Sequence, residues 1–122
     1  MDEQVPERKT GIQRVLRACL YTRDGLIQTF KTEAAFRQEL ALAVVLIPAA
    51  CYLAKDRPSL AIMIASVMLV LVAELFNSGI EAVVNRFGPE WNSFSKAAKD
   101  AGSAAVFIAL VNVVAVWGIC LL

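Results

Sequence analysis

Residues 58–81 read PSLAIMIASVMLVLVAELFNSGIE, an apolar run that carries no charge until Glu74 and then meets a second glutamate at Glu81. A helix needs about 20 apolar residues to cross the hydrocarbon core of a bilayer. Pro58–Ala73 is too short for that, so this segment spans a membrane only if it continues past Glu74. Two further uncharged runs flank it, Leu40–Ala54 and Ala101–Leu122. The third is long enough alone. The first contains Pro48 and reaches span length by borrowing from the Ala34–Glu39 stretch or from Lys55 onward. Proline is tolerated inside a span better than in a soluble helix, with a kink expected. The reading is an all-α membrane protein with three transmembrane helices, at about 34–54, 58–85 and 98–121.

The charges support it. The chain has 12 basic and 11 acidic residues, a net charge of +1 that says nothing about partners. Their placement is uneven: thirteen lie in residues 1–39 and ten in the remaining 83. A soluble domain spreads charge over its surface, whereas spans exclude it. Recognition of nucleic acid through a basic field has no support. The chain has no histidine, which removes imidazole bases and imidazole metal ligands. Cys19, Cys51 and Cys120 are odd in number and far apart, so neither a zinc site nor a disulfide framework is indicated.

Orientation follows from counting lysine and arginine on each side. Seven lie in the N-terminal segment from Arg8 to Arg37 and three in the second loop (Arg86, Lys96 and Lys99), against Lys55 and Arg57 in the first loop. Ten against two puts the N-terminus and the 85–100 loop in the cytoplasm. The charged segment ahead of the first span is too long for the n-region of a secretory signal, and two more spans follow. Residues 1–10 read as a disordered polar start. Beyond them, Ile12, Val15, Leu16 and Cys19 recur at i, i+3, i+4 and i+7 with Arg14, Arg17 and Arg23 between them. That pattern suits a helix over 11–32 lying in the membrane interface, its arginines toward anionic headgroups.

An acidic side chain at the centre of a span costs roughly 2.5–3.5 kcal/mol on insertion scales, so such residues point to function. Glu74, Asn77, Ser78 and Glu81 occupy i, i+3, i+4 and i+7, one face of one helix. At 1.5 Å per residue, Glu74 and Glu81 stand about 10 Å apart along the axis. Counted from Pro58, the hydrocarbon thickness is used up near Ser78. Glu74 then lies just inside the cytoplasmic leaflet, at headgroup depth, and Glu81 just outside it.

More polar groups come to the same side. Glu33 and Arg37 form an i, i+4 pair where the first span begins, while Glu39, about 120° around that helix from Glu33, is assigned to a different contact. Lys99 and Asp100 stand where the third span begins, and Glu90, Trp91 and Asn92 lie in the loop before it. Carboxylates with no histidine or activated thiol among them suit Mg²⁺ and phosphate better than zinc or copper. No GxxxxGK[ST] or GxGxxG stretch occurs, so a nucleotide would need another kind of site. Two other classes share these residues. A small proton-coupled exporter would use Glu74 as proton carrier, and a purely structural subunit would use the polar groups as interhelical glue. Neither requires Glu33, Lys99 and Asp100 to gather at one face.

EAAFRQE (Glu33–Glu39), ELFNSGIEAVVNR (Glu74–Arg86) and KAAKDAGSAAV (Lys96–Val106) strongly resemble the small prokaryotic diacylglycerol kinase family, which includes the undecaprenol kinases. The resemblance covers about residues 10–122, and its ExxNSxIE core is specific. It implies that residues 1–122 are one integral-membrane lipid kinase domain, working as a homotrimer with active sites between protomers. The implied reaction is ATP-dependent phosphorylation of a lipid hydroxyl at the inner leaflet. EAAFRQE and NSGIEAVV look more like the diacylglycerol type of the Gram-negative inner membrane than the undecaprenol type.

On that resemblance Glu74 matches the catalytic base, and Asn77 a polar residue supporting the site. Glu33 and Glu81 match carboxylates holding Mg²⁺ on the ATP phosphates. Arg14, Tyr21, Glu90, Trp91, Asn92, Lys99 and Asp100 match nucleotide-contacting positions alongside them. Ala18, Arg23, Phe30, Ala35, Arg37 and Ser103 would line the lipid side with Glu74. The chain departs from the family in places. Asn85 stands where aspartate is usual and Ala97 where a basic residue is common. Arg23 and Ile27 occupy positions often aromatic and basic. These changes bear on nucleotide affinity and lipid choice and leave the catalytic set whole.

Overall fold

The computed structural model describes residues 10–122; apart from Thr10, the polar start expected over 1–10 lies outside the described residues. Every regular element among them is helical: α1 (Ile12–Thr32), α2 (Ala34–Leu53), α3 (Arg57–Arg86) and α4 (Ser93–Leu121). The last three are long and apolar enough to cross a membrane. The chain is thus a multi-pass membrane protein built of helices. It divides at Thr32 into two units, described separately below.

The first unit is α1. It starts after Gly11, whose φ of 69° is a left-handed conformation that glycine adopts without steric cost. The Val15 N–H donates to the Gly11 carbonyl at 3.3 Å. Within the helix, Thr22 and Thr32 turn their hydroxyls back onto the carbonyls of Ala18 and Gln28 at 2.8 and 2.9 Å. Arg23 and Asp24 pair in the open at 3.3 Å. Ile12, Val15 and Leu16 all stand exposed on this helix.

In the second unit α3 is the central element, packed against both α2 and α4. Glu33 breaks the chain between the units: it takes an extended conformation (φ −115°, ψ 107°) as the N-cap of α2, and its side chain makes no capping bond. Pro48 lies inside α2 without ending it. Asp56 caps α3, accepting the Ser59 N–H at 2.8 Å, with proline in the first turn where a missing N–H is harmless. These bonds hold the exposed Asp56 carboxyl below its usual range.

The cytoplasm-facing loop of the sequence reading is shorter than 85–100. α3 runs to Arg86, where Gly88 (φ 92°) turns the chain and donates its N–H to the Asn85 carbonyl at 3.1 Å. α4 then starts at Ser93, five residues before the expected 98. Asn92 supplies the cap, its Oδ1 accepting from the N–H groups of Phe94 and Ser95 at 2.9 and 3.1 Å. Charged Lys96, Lys99 and Asp100 hid this first turn from a search for uncharged runs, yet a cap and helical polar residues suffice to build it.

The core follows a seven-residue spacing. Phe36, Ala43 and Ala50 of α2 are buried, as are Gly102 and Ala109 of α4. Between them α3 buries Met63, Ser66, Val67, Val70, Glu74 and Asn77, a single stripe at helical spacing. Ser66 returns its hydroxyl to the Met63 carbonyl at 2.7 Å, and the Trp117 indole N–H of α4 donates to that same carbonyl at 3.3 Å. The outer faces remain open, with residues such as Val45, Phe76, Phe107 and Val114 mostly exposed.

Candidate functional site

The buried stripe of α3 changes chemistry without changing geometry. After Val70 the next positions on it are Glu74, only 3% exposed, and Asn77, 8% exposed. Helical spacing alone accounts for this, since 70, 74 and 77 share a face just as 63, 67 and 70 do. One turn on, Glu81 is half-buried and accepts the Asn77 Nδ2–H at 3.4 Å, a long contact. Ser78, beside Asn77, keeps its Oγ buried with no hydrogen-bond partner, and so does Asn77 its Oδ1.

α2 brings two more carboxylates to this stretch. Glu33 and Glu81 both lie within electrostatic reach of Glu74. Glu39 does so as well, and its Oε2 is buried without a partner. An angle of about 120° between Glu33 and Glu39 holds only if both are points on one helix. Glu33 instead sits in the extended link before α2, so 100° per residue does not apply to it. Glu39 is thus a further carboxylate that feels the charge of Glu74, beyond those named from the sequence. The signal that could have found it was a charge six residues into an apolar span.

Where α3 ends and α4 begins, a cleft of about 610 Å³ opens among Asn85, Glu90, Trp91, Asn92, Lys99 and Asp100. Lys96 lines it too and pairs with Asp100 one turn away on α4, both side chains largely in the open. The Trp91 ring is exposed. The cleft thus unites a flat aromatic surface, amides, two ammonium groups and the two carboxylates of Glu90 and Asp100, so its charges balance and Lys99 is the ammonium outside the Lys96–Asp100 pair. Five of the expected nucleotide-contacting residues meet here, and Asn85 and Lys96 join them.

The remaining expected residues are more scattered. Arg14, Ala18, Tyr21, Arg23 and Phe30 belong to α1, where Arg14 and Ala18 border a shallow groove with Gly11, Val15, Cys19 and Thr22. Ala35 and Arg37 stand exposed on the first turn of α2, and Ser103 is exposed on α4 next to the buried Gly102.

Among the described residues, no three carboxylate or thiol side chains converge as a closed metal site. The donors near Glu74 nonetheless fit Mg²⁺. They are all oxygen, their like charges repel, and Mg²⁺ characteristically takes one or two carboxylates and completes its shell with water and phosphate.

The family model described as prokaryotic diacylglycerol kinase matches residues 20–121. The chain is similar to a diacylglycerol kinase of Pseudomonas aeruginosa, with 47% identity over 114 residues, 93% of each protein. A diacylglycerol kinase of Haemophilus influenzae is 45% identical over 111 residues, 91% of this chain and 94% of the relative. One from Helicobacter pylori is 40% identical over 117 residues, 96% of this chain and 91% of the relative. The matches take in all of α2 and α3 with their carboxylates, and so this chain is a member of the prokaryotic diacylglycerol kinase family.

Proposed function

We propose that this protein transfers the γ-phosphoryl group of ATP to the free hydroxyl of diacylglycerol, yielding phosphatidic acid and ADP, at the cytoplasmic leaflet of the bacterial inner membrane. The observation that carries this reading is the buried Glu74, standing on the core stripe of a membrane-spanning helix whose end opens into a polar cleft that holds Trp91 and Lys99. A lipid hydroxyl reaches the depth of Glu74; a soluble phosphate donor reaches the cleft. The two have to meet along the roughly 10 Å of α3 between Glu74 and Glu81.

Glu74 acts as general base, accepting the proton of the lipid hydroxyl as its oxygen attacks the γ-phosphorus and ADP departs. Its carboxylate must stand within hydrogen-bond reach of that hydroxyl, and a span interior keeps competing water away. Glu33 and Glu81 hold Mg²⁺, which when bound neutralises charge on the transferring phosphate. Asn77 supports Glu81 through its amide. Trp91 offers a stacking surface to the base of the nucleotide, and Lys99 offers a point charge to its phosphates. Glu90, Asn92, Asp100, Arg14 and Tyr21 complete the nucleotide contacts by family resemblance. Ala18, Arg23, Phe30, Ala35, Arg37 and Ser103 form the lipid-facing set on the same ground. Phosphoryl transfer relies on positioning and charge neutralisation, so a sparse site of this kind can suffice.

Three helices with open apolar flanks do not enclose such a site. The protein is a homotrimer on this reading, with neighbouring copies covering part of those flanks and sharing the active sites. The arginine-bearing α1 lies at the inner membrane surface, and the lysine and arginine count sets the N-terminus in the cytoplasm. The test is purified protein in mixed micelles with Mg-ATP and either diacylglycerol or undecaprenol. Phosphatidic acid is expected as the main product, with formation reduced in Glu74→Gln. Labelled undecaprenyl phosphate without phosphatidic acid would overturn the lipid assignment.

A further inference from the structure

Gly102 lies inside α4, buried, where a glycine is less favourable than alanine because it orders more backbone for no packing gain. Its φ is not left-handed, so conformation does not require it. Space does. A β-carbon added at Gly25, Gly79 or Gly118, the other helical glycines, would meet no atom within 4 Å. At Gly102 it would collide with Oδ1 of Asn77 and come within 3.3 Å of Asn77 Cγ and 3.6 Å of Asn77 Cα. The Asn77 amide thus occupies the volume that any other residue at 102 would fill.

That amide has a definite direction. Its Nδ2–H points along α3 to Glu81, while Oδ1 faces α4, buried and without a partner. An unpartnered buried carbonyl oxygen is costly, and the side chain would turn if its surroundings let it. We infer that Gly102 is a positioning residue: by presenting no side chain to Asn77, it seats the amide whose N–H orients the Glu81 carboxylate. Gly102 has no side chain to offer a ligand and acts through Asn77. This rests on the reading of Glu81 as a carboxylate that holds the divalent ion. Groups that orient metal-binding carboxylates commonly change metal affinity by about 10–100-fold when removed.

The test is a double-mutant cycle on purified trimer-competent protein, read by Mn²⁺ electron paramagnetic resonance with a non-hydrolysable ATP analogue and by the Mg²⁺ dependence of turnover. Gly102→Ala and Asn77→Ala should each weaken Mn²⁺ binding by about tenfold or more. The double variant should be no weaker than Asn77→Ala, because the displaced amide is already gone. A merely structural glycine would lower the unfolding temperature and leave metal binding in the folded fraction unchanged; that result overturns the inference. So does a double variant whose losses multiply. If Gly102→Ala does not fold, the comparison of the double variant with Asn77→Ala decides: equal Mn²⁺ binding supports the inference, and a further loss or failure to fold sinks it. Glu81→Gln serves as the reference. Unchanged Mn²⁺ binding there removes the underlying reading, whereas weakened binding there with none in Gly102→Ala removes only the role of Gly102.

Discussion

The two halves of α3 are equally helical and bury the same stripe, yet they treat polar groups in opposite ways. Toward the N-terminal half the buried Ser66 hydroxyl and the cap are satisfied. Asp56 accepts from Ser59, Ser66 returns to Met63, and Trp117 reaches across from α4 to the same carbonyl. In the C-terminal half Asn77 Oδ1 and Ser78 Oγ are buried without partners, and Glu39 Oε2 on α2, near Glu74, is likewise unpartnered. A helix optimised only for packing would not tolerate this, because each orphaned group costs about 1–3 kcal/mol. The difference teaches where stability was conceded. One half anchors the bundle, and the other leaves polar groups unsatisfied, as the proposed site there would require.

The largest effect should come from the second half. Glu74→Gln removes the proposed base while keeping the size of the side chain, and turnover should fall about 10²–10⁴-fold. Thermal unfolding in detergent should be unchanged or raised, since a buried carboxylate is replaced by a neutral amide. A near-normal rate would erase the distinction between the halves.

Met63→Ala probes the first half at its fully buried side chain. A cavity there should cost about 2–5 kcal/mol of stability, seen as a lower unfolding midpoint. The kcat of the folded fraction should be retained; a loss of kcat with unchanged stability would mean that packing and catalysis are not divided along α3.

Glu81→Gln sharpens the comparison within the second half. The Mg²⁺ concentration for half-maximal turnover should rise about 10–100-fold, with a smaller effect on kcat at saturating Mg²⁺ than at Glu74. Equal losses at every Mg²⁺ concentration would assign Glu81 to another task.

The smallest effect belongs to the cap at the opposite end. Asp56→Ala should lower the unfolding midpoint slightly at neutral pH without altering activity. The sign of its pH dependence is set by the lowered carboxyl. Its stabilising contribution is complete above the usual aspartate value of about 3.8 and is lost as pH falls through the depressed folded value. The parent and the variant should therefore converge in strongly acidic buffer, as followed by circular dichroism. A gap that widened on acidification would contradict the cap.

Much of this was legible in the residues. Hydrocarbon excludes charge, so gaps between charges located the three spans, and α3 could be a span only by carrying Glu74 inside it. Helical spacing is local, so Glu74, Asn77, Ser78 and Glu81 could be set on one face before any packing was known. Boundaries were less legible where charge and helix coexist. Ser93–Ala97 is helical because Asn92 caps it, not because it is apolar.

Relations between helices were the part that pattern could not supply. Nothing local in EAAFRQE says that Glu39 comes near Glu74, because that depends on the extended link at Glu33 and on how α2 lies along α3. Nor does KDAGSAA reveal that Gly102 alone among the helical glycines is pressed against a side chain. Charge exclusion and helical periodicity act along one chain segment and can be read from it. The seating of Asn77 on Gly102, and the gathering of carboxylates around Glu74, depend on which faces meet, and only packing in three dimensions decides that.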